Sequence, residues 1–208
     1  MTLCSITDSH RSSRKAKRSN LIAEAWKLAR HTGLGDLNVS DLAARVGLRK
    51  TFLYSYFESN TDLYEAMYAD GSHQLLAVVA ALPEREDPIE ALVELVEAVI
   101  RFSTADITRH QLLFHRPVPR FAPSPESRTL SMTFSGLVND RVVAAGAADQ
   151  DDIDLFQAIL SGLIHCTAAN DSVGNQCVPH ARRVIEMFLA NVDGRHQTDE
   201  SSSRKAIL

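Results

Sequence analysis

Residues 38–63, NVSDLAARVGLRKTFLYSYFESNTDL, read as two short helices joined by a tight turn. Asn38 is an N-cap with Asp41 three residues on, which suits the positive end of a helix. Val39, Leu42, Ala43 and Val46 then recur at helical spacing on one face. Gly47 stops that helix, since glycine tolerates a left-handed turn, and Leu48 supplies the apolar contact after it. The spacing predicts a second helix over residues 49–57. Leu53 and Phe57 form its inward stripe, while Lys50, Thr51, Tyr54 and Ser55 point outward. Amines, hydroxyls and a phenol on one face suit phosphates and base edges.

Working outward, a first helix is expected over residues 16–32, with Leu21, Ile22, Ala25, Leu28 and Ala29 on one face, Trp26 at its border and Gly33 at its end. A long helix from Ser59 to Leu82, stopped by Pro83, would span about 33 Å at 1.5 Å per residue. The sequence PEREDP, residues 83–88, is the clearest internal break. Five further helices follow over residues 88–104, 106–115, 124–145, 151–170 and 178–192, with the proline-rich connection RPVPRFAPSP ahead of the third. No segment shows strand alternation bounded by hairpin turns, so the fold class is all-α.

This organisation resembles the tetracycline-repressor (TetR) family of bacterial transcription regulators. The elements that carry the resemblance are Asp41-Leu42-Ala43, Gly47, Leu53-Tyr54-Ser55-Tyr56-Phe57 and Asp62-Leu63, over about residues 19–68. Arg49, Thr51, Phe52 and Asn60 depart from the family's usual residues and bear on operator preference. Residues 1–16, basic and without periodicity, are expected to be a disordered arm and the polar residues 193–208 a disordered tail, and the resemblance implies a helix-turn-helix DNA-binding domain (17–62) and a helical ligand-binding and dimerisation domain (63–192) between them. Lys50, Thr51 and Tyr54 would face the major groove, with Arg49, Ser55 and Tyr56 at its margins and Asn38, Ser40 and Asn60 near phosphates. A basic arm can add phosphate or minor-groove contacts.

Charge agrees with that division. The net charge of the chain is −4, but residues 1–60 hold 10 Lys and Arg against 5 Asp and Glu, a basic head on an acidic body. With a Debye length of about 8 Å at physiological salt, a bound phosphate would feel the head and little of the body. No apolar run reaches the roughly 18 to 20 residues of a membrane span, and the first residues lack a signal peptide's apolar stretch, so a cytoplasmic location is expected. Three cysteines, Cys4, Cys166 and Cys177, form neither a disulfide framework nor a zinc pattern. No cofactor, metal or catalytic motif is expected.

The C-terminal helices read as a container and a partner surface. Phe102, His110, Phe114, Thr133, Phe134, Leu137 and His165 are the candidates for lining a cavity that holds a small hydrophobic or amphipathic effector. Ala158, Ser161, Gly162, Ile185, Phe188 and Leu189 are the candidates for a homodimer interface built from the last two helices. Such a dimer would place two recognition helices about 34 to 36 Å apart on a palindromic operator in double-stranded DNA. The expected function is a ligand-released repressor. The alternatives are an all-α module that uses the helix-turn-helix shape on protein, and a small-molecule enzyme within the bundle.

Overall fold

The structure is a computed structural model that describes residues 4–115, 117–169 and 178–205. These form helices α1 (Cys4–Thr32), α2 (Val39–Arg45), α3 (Lys50–Leu53), α4 (Asn60–Ala80), α5 (Pro88–Ala105), α6 (Ile107–Phe114), α7 (Pro125–Ala144), α8 (Gln150–Ala169) and α9 (Ala181–Lys205), with a 3-10 turn at Val178–His180. Among the described residues there is no strand, so the chain is all-α. No helix is long and apolar enough to cross a membrane.

Contacts divide the chain into two compact units, residues 1–74 with 108–130, and residues 75–107 with 131–208. The core of the first is made by Leu21, Ala25, Trp26 and Ala29 of α1, Val39, Leu42 and Ala43 of α2, Leu53 and Phe57, and Leu63, Tyr64 and Met67 of α4. Leu112 of α6 and Phe121 belong to the same core, so this unit extends beyond the expected 17–62. Local chemistry accounts for that extension. Phe121 lies 5.8 Å from the Tyr64 ring and 6.2 Å from Tyr68, centroid to centroid. At Gly71 of α4 an added Cβ would sit 3.3 Å from the Leu113 side chain, so the glycine lets α6 approach closely.

In the second unit α5 is central. Asp87 caps it by accepting from the Ile89 amide at 2.8 Å, Pro88 occupies its first turn, and Leu92, Val93, Leu95, Val96, Val99 and Ile100 are all buried. It packs against α8 and α9, where Phe156 and Phe188 meet with centroids 5.5 Å apart. Arg141 of α7 donates to the Ala91 carbonyl of α5 at 3.0 Å.

Both ends of the chain differ from expectation. Residues 4–16, read as a disordered arm, continue α1, and residues 193–205, read as a disordered tail, continue α9; residues 1–3 and 206–208 lie outside the described residues. Neither stretch carries an apolar stripe, but an apolar stripe reports burial, not helicity. Cys4–Thr32 contains no proline or glycine to interrupt a helix. In α9, Arg195 pairs with the buried carboxylate of Asp152, which ties that extension to α8.

Candidate nucleic-acid interface

The turn between α2 and α3 follows from a few local bonds. The Asn38 side chain accepts from the Asp41 amide at 2.9 Å and donates to the Asp41 carboxylate at 2.7 Å, a reciprocal cap. Gly47 has φ +67°, the left-handed conformation that favours glycine, and the Leu48 amide returns to the Ala43 carbonyl at 3.0 Å. The second helix is shorter than the expected 49–57. It is α-helical only over Lys50–Leu53, then tightens as the Ser55 amide bonds to the Phe52 carbonyl (3.1 Å) and the Tyr56 amide to the Leu53 carbonyl (2.9 Å). The Ser55 hydroxyl also donates to the Phe52 carbonyl, at 2.7 Å.

Burial separates the two faces. Leu53 and Phe57 are fully buried, whereas Arg49, Lys50, Thr51, Phe52, Tyr54 and Ser55 are exposed and Tyr56 is half-buried. The Lys50 ammonium lies 5.8 Å from the centre of the Tyr54 ring. The structure therefore brings Arg49, Lys50, Thr51, Tyr54 and Ser55 onto one outer surface.

The residues expected near phosphates divide differently. Ser40 is half-buried on α2. Asn38 spends its side-chain oxygen on the cap. The Asn60 side-chain oxygen accepts from the Val39 amide at 2.9 Å, joining the starts of α2 and α4. Two of the three asparagine and serine positions thus carry structural bonds, which the sequence alone does not separate from ligand contacts.

Sequence reasoning missed the part played by α1. Arg14 Nη2 donates to the Ser55 carbonyl at 2.8 Å, and its guanidinium lies 5.7 Å from the Tyr56 ring centre. Arg18 lies over the Phe57 ring at 5.2 Å and pairs with Asp62 at 3.6 Å. Their spacing of four residues puts both on one helical face, which is the signal that could have found them.

The seven expected effector residues are spread over two units. His110 and Phe114 are in the first, on α6, with ring centroids 5.0 Å apart; His110 is buried and Phe114 is 43% exposed. The other five are in the second, where Phe102 and Phe134 are buried and Thr133, Leu137 and His165 are exposed. Of the dimer candidates, Ala158, Ser161 and Gly162 are exposed on α8, while Ile185, Phe188 and Leu189 are buried within their own unit. Beside them a shallow groove of about 250 Å³ is lined by Leu155, Ile159, Val184, Met187, Phe188 and Asn191. Among the described residues no group of three or more His, Cys, Asp or Glu could hold a metal ion.

Residues 21–67 match the model of the family described as bacterial regulatory proteins, tetR family. That segment runs from the second half of α1 through α2 and α3 into the start of α4. Solved structures extend the likeness over most of the fold. The TetR-family transcriptional regulator PfmR from Thermus thermophilus is 22% identical over 82% of this chain and 97% of its own, with a TM-score of 0.62. The fatty acid degradation regulator FadR from Bacillus halodurans is 14% identical over 83% and 94%, with a TM-score of 0.65. The multidrug binding protein EbrR, solved with imidazole, is 20% identical over 83% and 89%, with a TM-score of 0.59. No curated protein matches by sequence.

Proposed function

We propose that the chain is a homodimeric, sequence-specific transcription regulator of the repressor type, released from a palindromic operator by a small molecule bound in its C-terminal unit. The observation that carries this reading is the outer surface of the α2–α3 unit, where Arg49, Lys50, Thr51 and Tyr54 are exposed around a buried Leu53 and Phe57. Lys50, Thr51 and Tyr54 are the groove-facing side chains; Arg49, Ser55 and Tyr56 flank them.

The groove beside α8 and α9 supports the dimer. Leu155 is 44% exposed and Met187 63% exposed, both line that groove, and α8 also exposes the small residues Ala158, Ser161 and Gly162 that allow close helix approach. A helix-turn-helix touches few base pairs alone, so two copies about 34 to 36 Å apart are needed to read a two-fold site. PfmR and FadR are named as regulators, and EbrR as a multidrug binding protein. Those names favour a small hydrophobic or amphipathic effector over a metal or macromolecule. The effector must bind the two states of the regulator differently, by about 5.5 kcal/mol for a full reversal of their populations.

Selection of bound duplexes from a random DNA pool tests the reading directly. A palindrome should emerge, and Lys50→Ala should weaken its binding and lower the salt slope by about one unit. Recovery of no duplex, at low salt and in the presence of a control regulator that does select one, would favour the protein-interaction alternative.

A further inference from the structure

We propose that the N-terminal extension of α1 is a second phosphate-contacting element of the DNA interface, held at the end of the recognition helix by Arg14 and presenting Lys15 and Lys17 to the DNA backbone. This rests on the DNA-binding reading above. From residue 12 onward, where burial is described, the first buried residue of α1 is Leu21, and residues 12–17 are an exposed helical segment that packs no core of its own. A helix with no packed face is normally marginal in water. Here Arg14 supplies the tie, donating at 2.8 Å to the Ser55 carbonyl just past α3 and lying against Tyr56.

The choice of partner is informative. Arg18, one turn on, meets the carboxylate of Asp62, so its charge is met within the chain. Arg14 meets a neutral backbone carbonyl at a helix end, where a cation is favoured without being neutralised. Lys15 and Lys17 lie about 100° and 60° to either side of Arg14 around the helix. Both are exposed, and among the described residues neither is held by an ion pair. The exposed, basic Arg49 and Lys50 stand at the opposite end of the same short helix that Arg14 closes.

These three cations therefore extend the basic surface from the recognition helix onto α1. Their natural partner is a polyanion that already lies along α3, and a rigid helix presents the two ammonium groups without the entropy cost of ordering a loop. The shared chemistry is a phosphodiester backbone, so the contacts should be independent of base sequence.

The test uses the full chain and the duplex recovered by selection, titrated between 50 and 200 mM salt. The double variant Lys15→Gln, Lys17→Gln alters only exposed side chains, and its helical circular dichroism should match the parent. Its salt slope should fall by roughly 0.9 per lost phosphate contact, and its affinity at physiological salt by on the order of tenfold, with the preferred sequence unchanged. Arg14→Gln should also lower the slope; a shift in thermal midpoint with the slope retained would remove Arg14 from the proposal. Parental slope and affinity in the double variant, alongside a loss of both in Lys50→Ala, would overturn the extension while leaving DNA binding intact. A parent chain that binds no duplex would overturn both readings together.

Discussion

Trp26 of α1 donates its indole N–H to the carboxylate of Asp70 on α4 at 2.9 Å. The same oxygen accepts from Gln74 at 2.7 Å, and the Gln74 amide oxygen accepts in turn from Arg109 of α6 at 2.6 Å. Three helices of one unit are thus joined by a chain that runs through the half-buried Asp70 carboxylate and the Gln74 amide. Asp70→Ala would leave the buried indole N–H and one Gln74 amide donor unpaired. We expect it to lower stability by about 1 to 3 kcal/mol. Trp26 is the only tryptophan in the chain, so its fluorescence during urea unfolding reads the effect directly.

Gly47 tests the turn itself. Its φ of +67° is costly for any residue with a Cβ, although no atom lies within 4 Å of where that Cβ would be. Gly47→Ala should therefore cost about 1 to 2 kcal/mol through backbone conformation alone, with no clash to relieve. Chemical denaturation of the variant gives the number. A loss near zero would mean that the turn readjusts out of the left-handed region.

The helix-turn-helix was legible in the sequence because its markers are local. Asn38 followed by Asp41, the glycine stop, and the Leu53 and Phe57 stripe each report a neighbour within four residues. Long-range partners left no such mark. Arg14 reaches Ser55 across 41 residues, and Asn60 reaches Val39 across 21. Nothing in either side chain distinguishes a bond to a distant backbone group from a contact to phosphate. The helical ends were missed for a related reason, since apolar periodicity reports only the part of a helix that is buried. The effector residues were chosen by type, and type alone does not separate exposed side chains such as Phe114 and His165 from buried ones such as Phe102 and His110.

Glu65 links α4 to the start of α7. Its carboxylate accepts from the Ser124 amide at 3.0 Å and from the Ser127 hydroxyl at 2.5 Å. Burial pushes its pKa up, but the bonds from Ser124 and Ser127 outweigh that and hold it below the usual carboxylate value. A lowered folded pKa means that the contribution is present above the unfolded value, about 4.3, and is lost as pH falls through the folded one. Glu65→Gln should therefore be less stable than the parent at neutral pH, with the gap narrowing below about pH 4. Thermal midpoints measured from pH 7 to pH 3 would show it, and a gap independent of pH would contradict the assignment.

His110 acts in the same direction at higher pH. Its ring is buried, its Nε2 lies 3.0 Å from Nε2 of His115, and its Nδ1 has no hydrogen-bond partner. Burial first, and then the charge that His115 can carry, lower its pKa from 6.5 to about 4. In the unfolded chain the same imidazole would take up a proton near pH 6.5, so protonation favours the unfolded state. The stability that depends on a neutral His110 is present above pH 6.5 and drains away as pH falls toward about 4, by on the order of 3 kcal/mol in full. His110→Phe keeps a ring in the same space and removes the proton. Urea denaturation at pH 7.5 and pH 5 should show a smaller loss of stability in the variant than in the parent, and equal losses would place the imidazole in contact with water instead of on the buried face of α6.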